Sequence, residues 1–260
     1  MGPARRRYLR TPSPDMEPPG WASFIRRFFA ETAMSEVRSA PSDPQNQQLK
    51  TYPRLPRHPL PHPVLPVCTL ADALFSRASA QELTSVPLRP ADLSNLLRAT
   101  GFRGGTGDVE GGRRLFPSAG AKYPTEVYLV ALRCEGLDHG LYHYAPREHA
   151  LETLWTRDLS GVLQSATDDP RLENAGAVLV FSLVTGRVAQ KYGSRGLRYA
   201  LIELGHAAQN VSLMAAALGL DAYEIGGFVD DDINHLLDVD PAVECASHLL
   251  ALGGRPPEPV

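Results

Sequence analysis

The chain has 260 residues, 43% hydrophobic and 21% charged, which excludes a wholly disordered or fibrous protein and allows one sizeable domain. Its 26 basic and 29 acidic residues give a net charge of −3, so no general polyanion-binding surface exists and nucleic acid is not an expected partner. No apolar run approaches the roughly 18 residues of a membrane helix. Three cysteines without a CxxC pair exclude a disulfide framework and a cysteine-rich zinc site, and the expected location is the cytoplasm.

Residues 1–66 carry ten Arg and Lys against five Asp and Glu, together with 13 of the 23 prolines. Proline removes the hydrogen bonds that helices and sheet ladders are built on, so this stretch cannot form a compact core. Residues 1–20 read as a disordered tail. Residues 21–66 read as a proline-rich arm laid over a folded body or a partner subunit, with a short helix within Trp21–Met34 and an extended connector over Pro53–Pro66. From residue 67 to 260 the texture is that of a folded domain. Thr69 is placed to cap a helix over Leu70–Arg77, and Pro90 opens another that ends at Gly101. Gly101–Gly112, with six glycines in twelve positions, is a loop. Val127–Leu132, Leu141–Tyr144 and Leu151–Trp155 are strand-like and separated by turn residues, which predicts an antiparallel meander; Ala177–Val184 adds a buried strand. Leu197–Leu218 is the longest helix and is apolar on nearly every side, a pattern that favours a subunit interface. A short helix from Asp230 to near Leu237 and a strand over Ser247–Leu252 complete the order. Helices and strands mix without a βαβ repeat, so the class is α+β.

Several constellations invite a chemical reading. The Gly105-Thr106-Gly107 stretch fails as a dinucleotide fingerprint, because Glu110 stands where the third glycine belongs and a helix precedes it. Ser118 resembles a nucleophile elbow only superficially, since Phe116 replaces the first glycine. His143 and His206 lack a second ligand at helical spacing, and no metal is expected. Lys191-Tyr192 stands apart, because the chain has three lysines against 23 arginines. Composition leaves two readings open: a solvated surface lysine, or a base where strand gives way to helix.

Taken together, the run Arg114–Val130 (RLFPSAGAKYPTEVYLV), then Gly140–Tyr144, Gln190–Tyr199, Glu203–Asn210 and Gly226–Asp231, resembles the motif series of the SagB-type dehydrogenases. These form a branch of the FMN-dependent nitroreductase superfamily, and the likeness spans residues 45–252. It implies a nitroreductase-like α+β fold with an antiparallel-rich sheet flanked by helices. It also implies a homodimer built on the long helix, with FMN between subunits. It implies cofactor contacts from Arg77 and Ser79, with Gln81 replacing the usual base of an Arg-x-Ser-x-Arg/Lys cluster and Arg255 supplying charge instead. Pro117, Ser118 and Ala119 would line the flavin, and Gly226 and Gly227 would bring backbone N–H groups to it. The implied reaction is oxidation of azoline rings of a ribosomal peptide to azoles, with Lys191 and Tyr192 as the acid/base pair and a cyclodehydratase as a possible partner. The alternatives are an NAD(P)H-dependent nitro- or quinone reductase and, because of Gln81, a catalytically weak scaffold subunit of a synthetase complex.

Overall fold

The computed structural model describes residues 20–34, 49–103 and 112–254. The tail expected over residues 1–20 (Gly20 excepted), part of the arm and most of the glycine-rich loop lie outside the described residues. The chain divides into two compact units, Met1–Ser39 and Ala40–Val260. In the first, helix α1 (Gly20–Glu31) stacks Phe24 on Phe28 at 6.5 Å and pairs Arg27 with Glu31 one turn later at 3.6 Å.

The second unit is built on strands β1 (Arg57–Pro59), β2 (Thr125–Ala131), β3 (Gly140–Ala145), β4 (Ala150–Thr156), β5 (Ala177–Leu183), β6 (Asp221–Ile225) and β7 (Cys245–Gly253). They form one sheet in the order β1-β4-β3-β2-β5-β7-β6, and every neighbouring pair is antiparallel. The helices are α2 (Leu70–Ser76), α3 (Pro90–Arg98), α4 (Ser160–Thr167), α5 (Gly186–Tyr192), α6 (Gly196–Leu218) and α7 (Asp230–Leu237). Thr69 caps α2 as expected: its hydroxyl accepts from Asp72 N–H at 3.1 Å, and the Asp72 carboxylate accepts in return from Thr69 N–H.

Alternation along the strands explains the layering. Val127 and Leu129 of β2, with Leu179 and Phe181 of β5, pack against Leu93, Leu96 and Leu97 of α3 and the Ala207, Ala208 and Val211 face of α6. Val130 of β2 and Val178 and Val180 of β5 point the other way, onto Leu163 of α4 and Ile233, Leu236 and Leu237 of α7. Both faces of the sheet are therefore covered, and β2, β3 and β5 are buried at every position. Helix α6 is only half enclosed by its own chain. Ala200, Leu204, Ala207 and Val211 are buried, while Leu201 and Ile202 are 47% and 58% exposed, and Gly205 beside them is open.

One patch of the sheet is charged and buried. Glu126 and Tyr128 of β2, Ser182 of β5, His143 of β3 and Glu152 of β4 are adjacent across strands and share a face. The segment from Leu49 to Pro59 lies over them. Lys50 Nζ donates to Glu244 at 2.6 Å and to Tyr128 Oη at 2.7 Å, and Lys50 N–H donates to Glu126. Tyr52 N–H and the Arg57 guanidinium both donate to Glu152. His143 lies between two carboxylates, Nε2 at 3.2 Å from Glu126 and Nδ1 at 3.0 Å from Glu152. Both ring nitrogens face carboxylates, an arrangement that favours the doubly protonated ring. Burial alone would lower its pKa, but the two carboxylates raise it. Burial would likewise raise Glu126. The hydrogen bond from His143 and the charges of Arg187, His143 and Arg114 instead hold it down at about 2.

These shifts fix a pH dependence. A carboxyl depressed from 4.5 to about 2 contributes stability that is present above 4.5 and lost as pH falls toward 2. Thermal melts of the wild type are expected to lose stability across that window, and Glu126→Gln to show a flatter profile there. At pH 7 the same substitution costs roughly 3–5 kcal/mol, the usual consequence of removing one partner from a buried charge network. Parallel melting curves of the two proteins from pH 2 to 7 would contradict this assignment.

Candidate active site

The turn between Phe116 and β2 is held in an unusual backbone. Gly120 (φ 62°), Ala121 (φ 54°) and Tyr123 (φ 46°) all lie in the left-handed region, which non-glycine residues enter only where the surroundings impose it. Three contacts impose it here. Ser118 Oγ accepts from Tyr123 N–H at 2.9 Å, and Tyr123 Oη accepts from Arg114 N–H at 3.0 Å. The Tyr123 carbonyl accepts from Arg187 Nη1 at 2.8 Å.

Lys191 and Tyr192, in the last turn of α5, reach over this turn. A Cβ added to Gly120 would lie 2.8 Å from Tyr192 Oη and 3.2 Å from Lys191 Nζ, so both polar tips converge where glycine leaves room. Tyr192 is seated edge-on against Tyr199 of α6 at 5.1 Å, and Lys191 Nζ lies 5.3 Å from the Tyr192 ring centroid. A cavity of about 510 Å³ opens beside the turn, lined by Arg103, Arg113, Arg114, Pro117, Ser118 and Gly120 among others.

Two groups beneath the turn were not singled out from sequence. Glu203 of α6 is buried. It accepts from Thr125 N–H at 3.3 Å and hydrogen-bonds the Ser118 hydroxyl, while burial pushes its carboxyl up to about 6. The Ser118 hydroxyl is thus committed within the turn, and a ligand would meet this residue through its backbone and Cβ. Arg114 is 3% exposed and boxed by Phe102, Phe116 and Tyr123, with its guanidinium 5.4–5.7 Å from each ring centroid. One of its nitrogens donates to the Thr125 carbonyl, while Nε and Nη2 have no hydrogen-bond partner among the described residues.

The other expected cofactor residues gather elsewhere. Arg77 follows α2, and Ser79 and Gln81 beyond it are exposed. Ala80 N–H between them donates to the Ala222 carbonyl at 2.9 Å, tying this loop to β6. β6 leads directly into Gly226 and Gly227, which are exposed and have no atom within 4 Å of where a Cβ would sit. The charge of Arg77 acts on Glu224 of β6, which Ser212 of α6 also contacts. Glu203 and Ser212 mark the two groups along α6, nine residues or roughly 13 Å of helix apart. One chain therefore unites Pro117, Ser118 and Ala119 with Lys191 and Tyr192, and separately Arg77, Ser79 and Gln81 with Gly226 and Gly227. Arg255 lies outside the described residues.

The space at Gly120 yields a prediction of opposite signs. Gly120→Ala combines a left-handed alanine, costing about 1–2 kcal/mol, with a Cβ driven into Tyr192 and Lys191. Gly161→Ala, in α4 with open space around it, should instead stabilise by about 0.4–1 kcal/mol. Chemical denaturation of both variants beside wild type measures this; an unchanged midpoint for Gly120→Ala would contradict it.

A model of the nitroreductase family matches residues 74–253. A nitroreductase-type protein of Methanocaldococcus jannaschii is 36% identical over 171 residues, covering 65% of this chain and 84% of that protein. The microcin B17-processing protein McbC of Escherichia coli is 34% identical over 134 residues, and the match spans only about half of each chain, 49%. A chain in the structure of the E. coli microcin synthetase McbBCD complex with truncated pro-MccB17 bound superposes with a TM-score of 0.62 at 24% identity, covering 91% of this chain and 92% of that one. This last likeness is one of fold. With the family model matching most of its length, the chain belongs to the nitroreductase family.

Proposed function

We propose that the protein is an FMN-dependent dehydrogenase that oxidises azoline rings of a ribosomally made peptide to azoles. The observation that carries this reading is the convergence of Lys191 Nζ and Tyr192 Oη on Gly120, in a chain similar to a microcin-processing protein. The described residues fit a flat, anionic cofactor. Gly226 and Gly227 leave backbone accessible, Arg77 supplies positive charge, and the Pro117–Ala119 turn is made of small residues with no free hydroxyl to compete.

FMN, when bound, supplies a hydride acceptor. The chain's own part is to remove the proton that leaves the ring carbon. Lys191 Nζ accepts it, and Tyr192 Oη, held against Tyr199, orients the ring and keeps a hydrogen-bond donor beside it. A second reading, an NAD(P)H-dependent nitroreductase, is favoured by the M. jannaschii relative. Rapid bleaching of bound flavin by NAD(P)H, with none by an azoline peptide, would select it.

The separation of the two cofactor-binding groups along α6, and the exposed Leu201, Ile202 and Phe75, support a homodimer in which each flavin site draws on both subunits. Ile202→Glu should yield a monomer that has lost its flavin, read together by light scattering and absorbance; a monomer retaining full flavin would contradict the shared site. The chemistry is tested on residue 191. Lys191→Ala and Tyr192→Phe are expected to keep flavin and dimer but lose azoline oxidation by on the order of 10²-fold. Lys191→Arg should fail nearly as badly, because a guanidinium holds its proton at any working pH. Turnover of a thiazoline-bearing peptide, measured with flavin content in the same samples, decides it. Wild-type rates for Lys191→Arg would mean the position supplies only charge.

A further inference from the structure

The short helix that carries Lys191 and Tyr192 has little of its own to hold it in place. α5 is seven residues long, and its N-cap Thr185 makes no side-chain cap hydrogen bond. Helices this short do not persist without tertiary contacts. Its buried side chains come one turn before the Lys191–Tyr192 pair, and Tyr192 itself packs on Tyr199 of α6. Arg187 and Val188 are the buried residues of α5, and Lys191 and Tyr192 follow each at i+4, on the same face. Val188 packs into the apolar core. Arg187 crosses to the other side of the site, where Nη1 donates to the carbonyl of left-handed Tyr123 and Nη2 pairs with Glu126 on β2.

We infer that Arg187 is a positioning residue for the Lys191–Tyr192 pair, clamping α5 to the Tyr123 turn and to Glu126. This inference rests on the proposed role of that pair. The geometry gives Arg187 one bond to each wall of the gap: the turn that contains Gly120 and the strand that follows it. Val188 in the core and Tyr192 on Tyr199 seat α5 on its own side, and the two Arg187 bonds set its distance across the gap to Gly120. Glu126 is fixed in turn by His143 and by the Lys50 backbone, so the clamp is anchored in the sheet rather than in a mobile side chain. Lysine has donors enough but only one nitrogen, so it does not reproduce the two separate, fixed contact points. A planar guanidinium satisfies both.

The test uses the flavin-loaded full chain with Arg187→Met, Arg187→Lys and, as comparison, Arg57→Met. Arg57 belongs to the same buried network through Glu152 but makes no bond to α5. Two readouts are taken. The first is acetylation of Lys191 by acetic anhydride, followed by mass spectrometry against an added reference peptide. The second is turnover of a thiazoline peptide with kcat and KM separated. Both Arg187 variants are expected to change Lys191 labelling severalfold and to lower kcat by on the order of ten- to a hundredfold, with KM and flavin content little changed. Arg57→Met should match wild type in both. If Arg187→Met does not fold, Arg187→Lys carries the same expectation. Wild-type labelling and kcat in the folded Arg187 variants would overturn the inference, as would equal losses in Arg57→Met. If labelling shifts while the wild type itself oxidises no azoline, the clamp stands and the proposed reaction falls.

Discussion

A carboxylate removed from water is tolerated only if charge and hydrogen bonds replace its hydration, and Glu126 is where this fold meets that requirement. Its two oxygens take Arg187 from α5, His143 from β3 and the backbone N–H of Lys50 from the segment preceding β1. Those partners belong to three parts of the chain far apart in sequence. The junction therefore ties the segment over the sheet, the sheet itself and the helix bearing Lys191 into one piece. The same patch holds Glu244 between Lys50, Tyr128 and Ser182, and Glu152 between His143, Tyr52 and Arg57. Each buried acid has a cation and at least one neutral donor, which is the condition for such a patch to persist beside an apolar core.

Above this base the site combines strain and space. Three left-handed residues in four positions are kept in place by Ser118, Arg114 and Arg187, and one of the three is the glycine over which the lysine and tyrosine meet. The strained turn and the short helix face each other, and each is held by Arg187. A site assembled in this way has Lys191 and Tyr192 placed before any ligand arrives, the form of pre-organisation that their proposed acid/base role requires. The open glycines after β6 and the exposed face of α6 are the surfaces on which the proposed homodimer depends.

Sequence reading succeeded where a pattern repeats locally. The Val- and Leu-rich runs of β2, β4 and β5 and the 23-residue α6 declare themselves through apolar periodicity, and Thr69 and Pro90 mark their helix starts. β6 went unread because Asp221 and Glu224 interrupt its five residues, although both its neighbours in register are apolar positions of β7. α4, with only two buried side chains, gave no amphipathic signal. The family motifs placed Lys191, Tyr192 and the Pro117–Ala119 turn, but they could not show that the Ser118 hydroxyl is already engaged. Glu203 and Arg187 look like ordinary surface charges in a linear chain, since their partners lie 78 and 61 residues away. The one local hint for Arg187 was its i+4 spacing from the lysine.

The most direct measurement is a single-turnover reaction without oxygen. The flavin-loaded protein is mixed with one equivalent of a thiazoline-bearing peptide, and the flavin absorbance and the peptide mass are followed together. The flavin is expected to bleach in step with loss of two hydrogens from the peptide, and bleaching to slow when the ring carbon carries deuterium. A flavin that stays oxidised while bound peptide keeps its mass, yet bleaches at once with NAD(P)H, would contradict it.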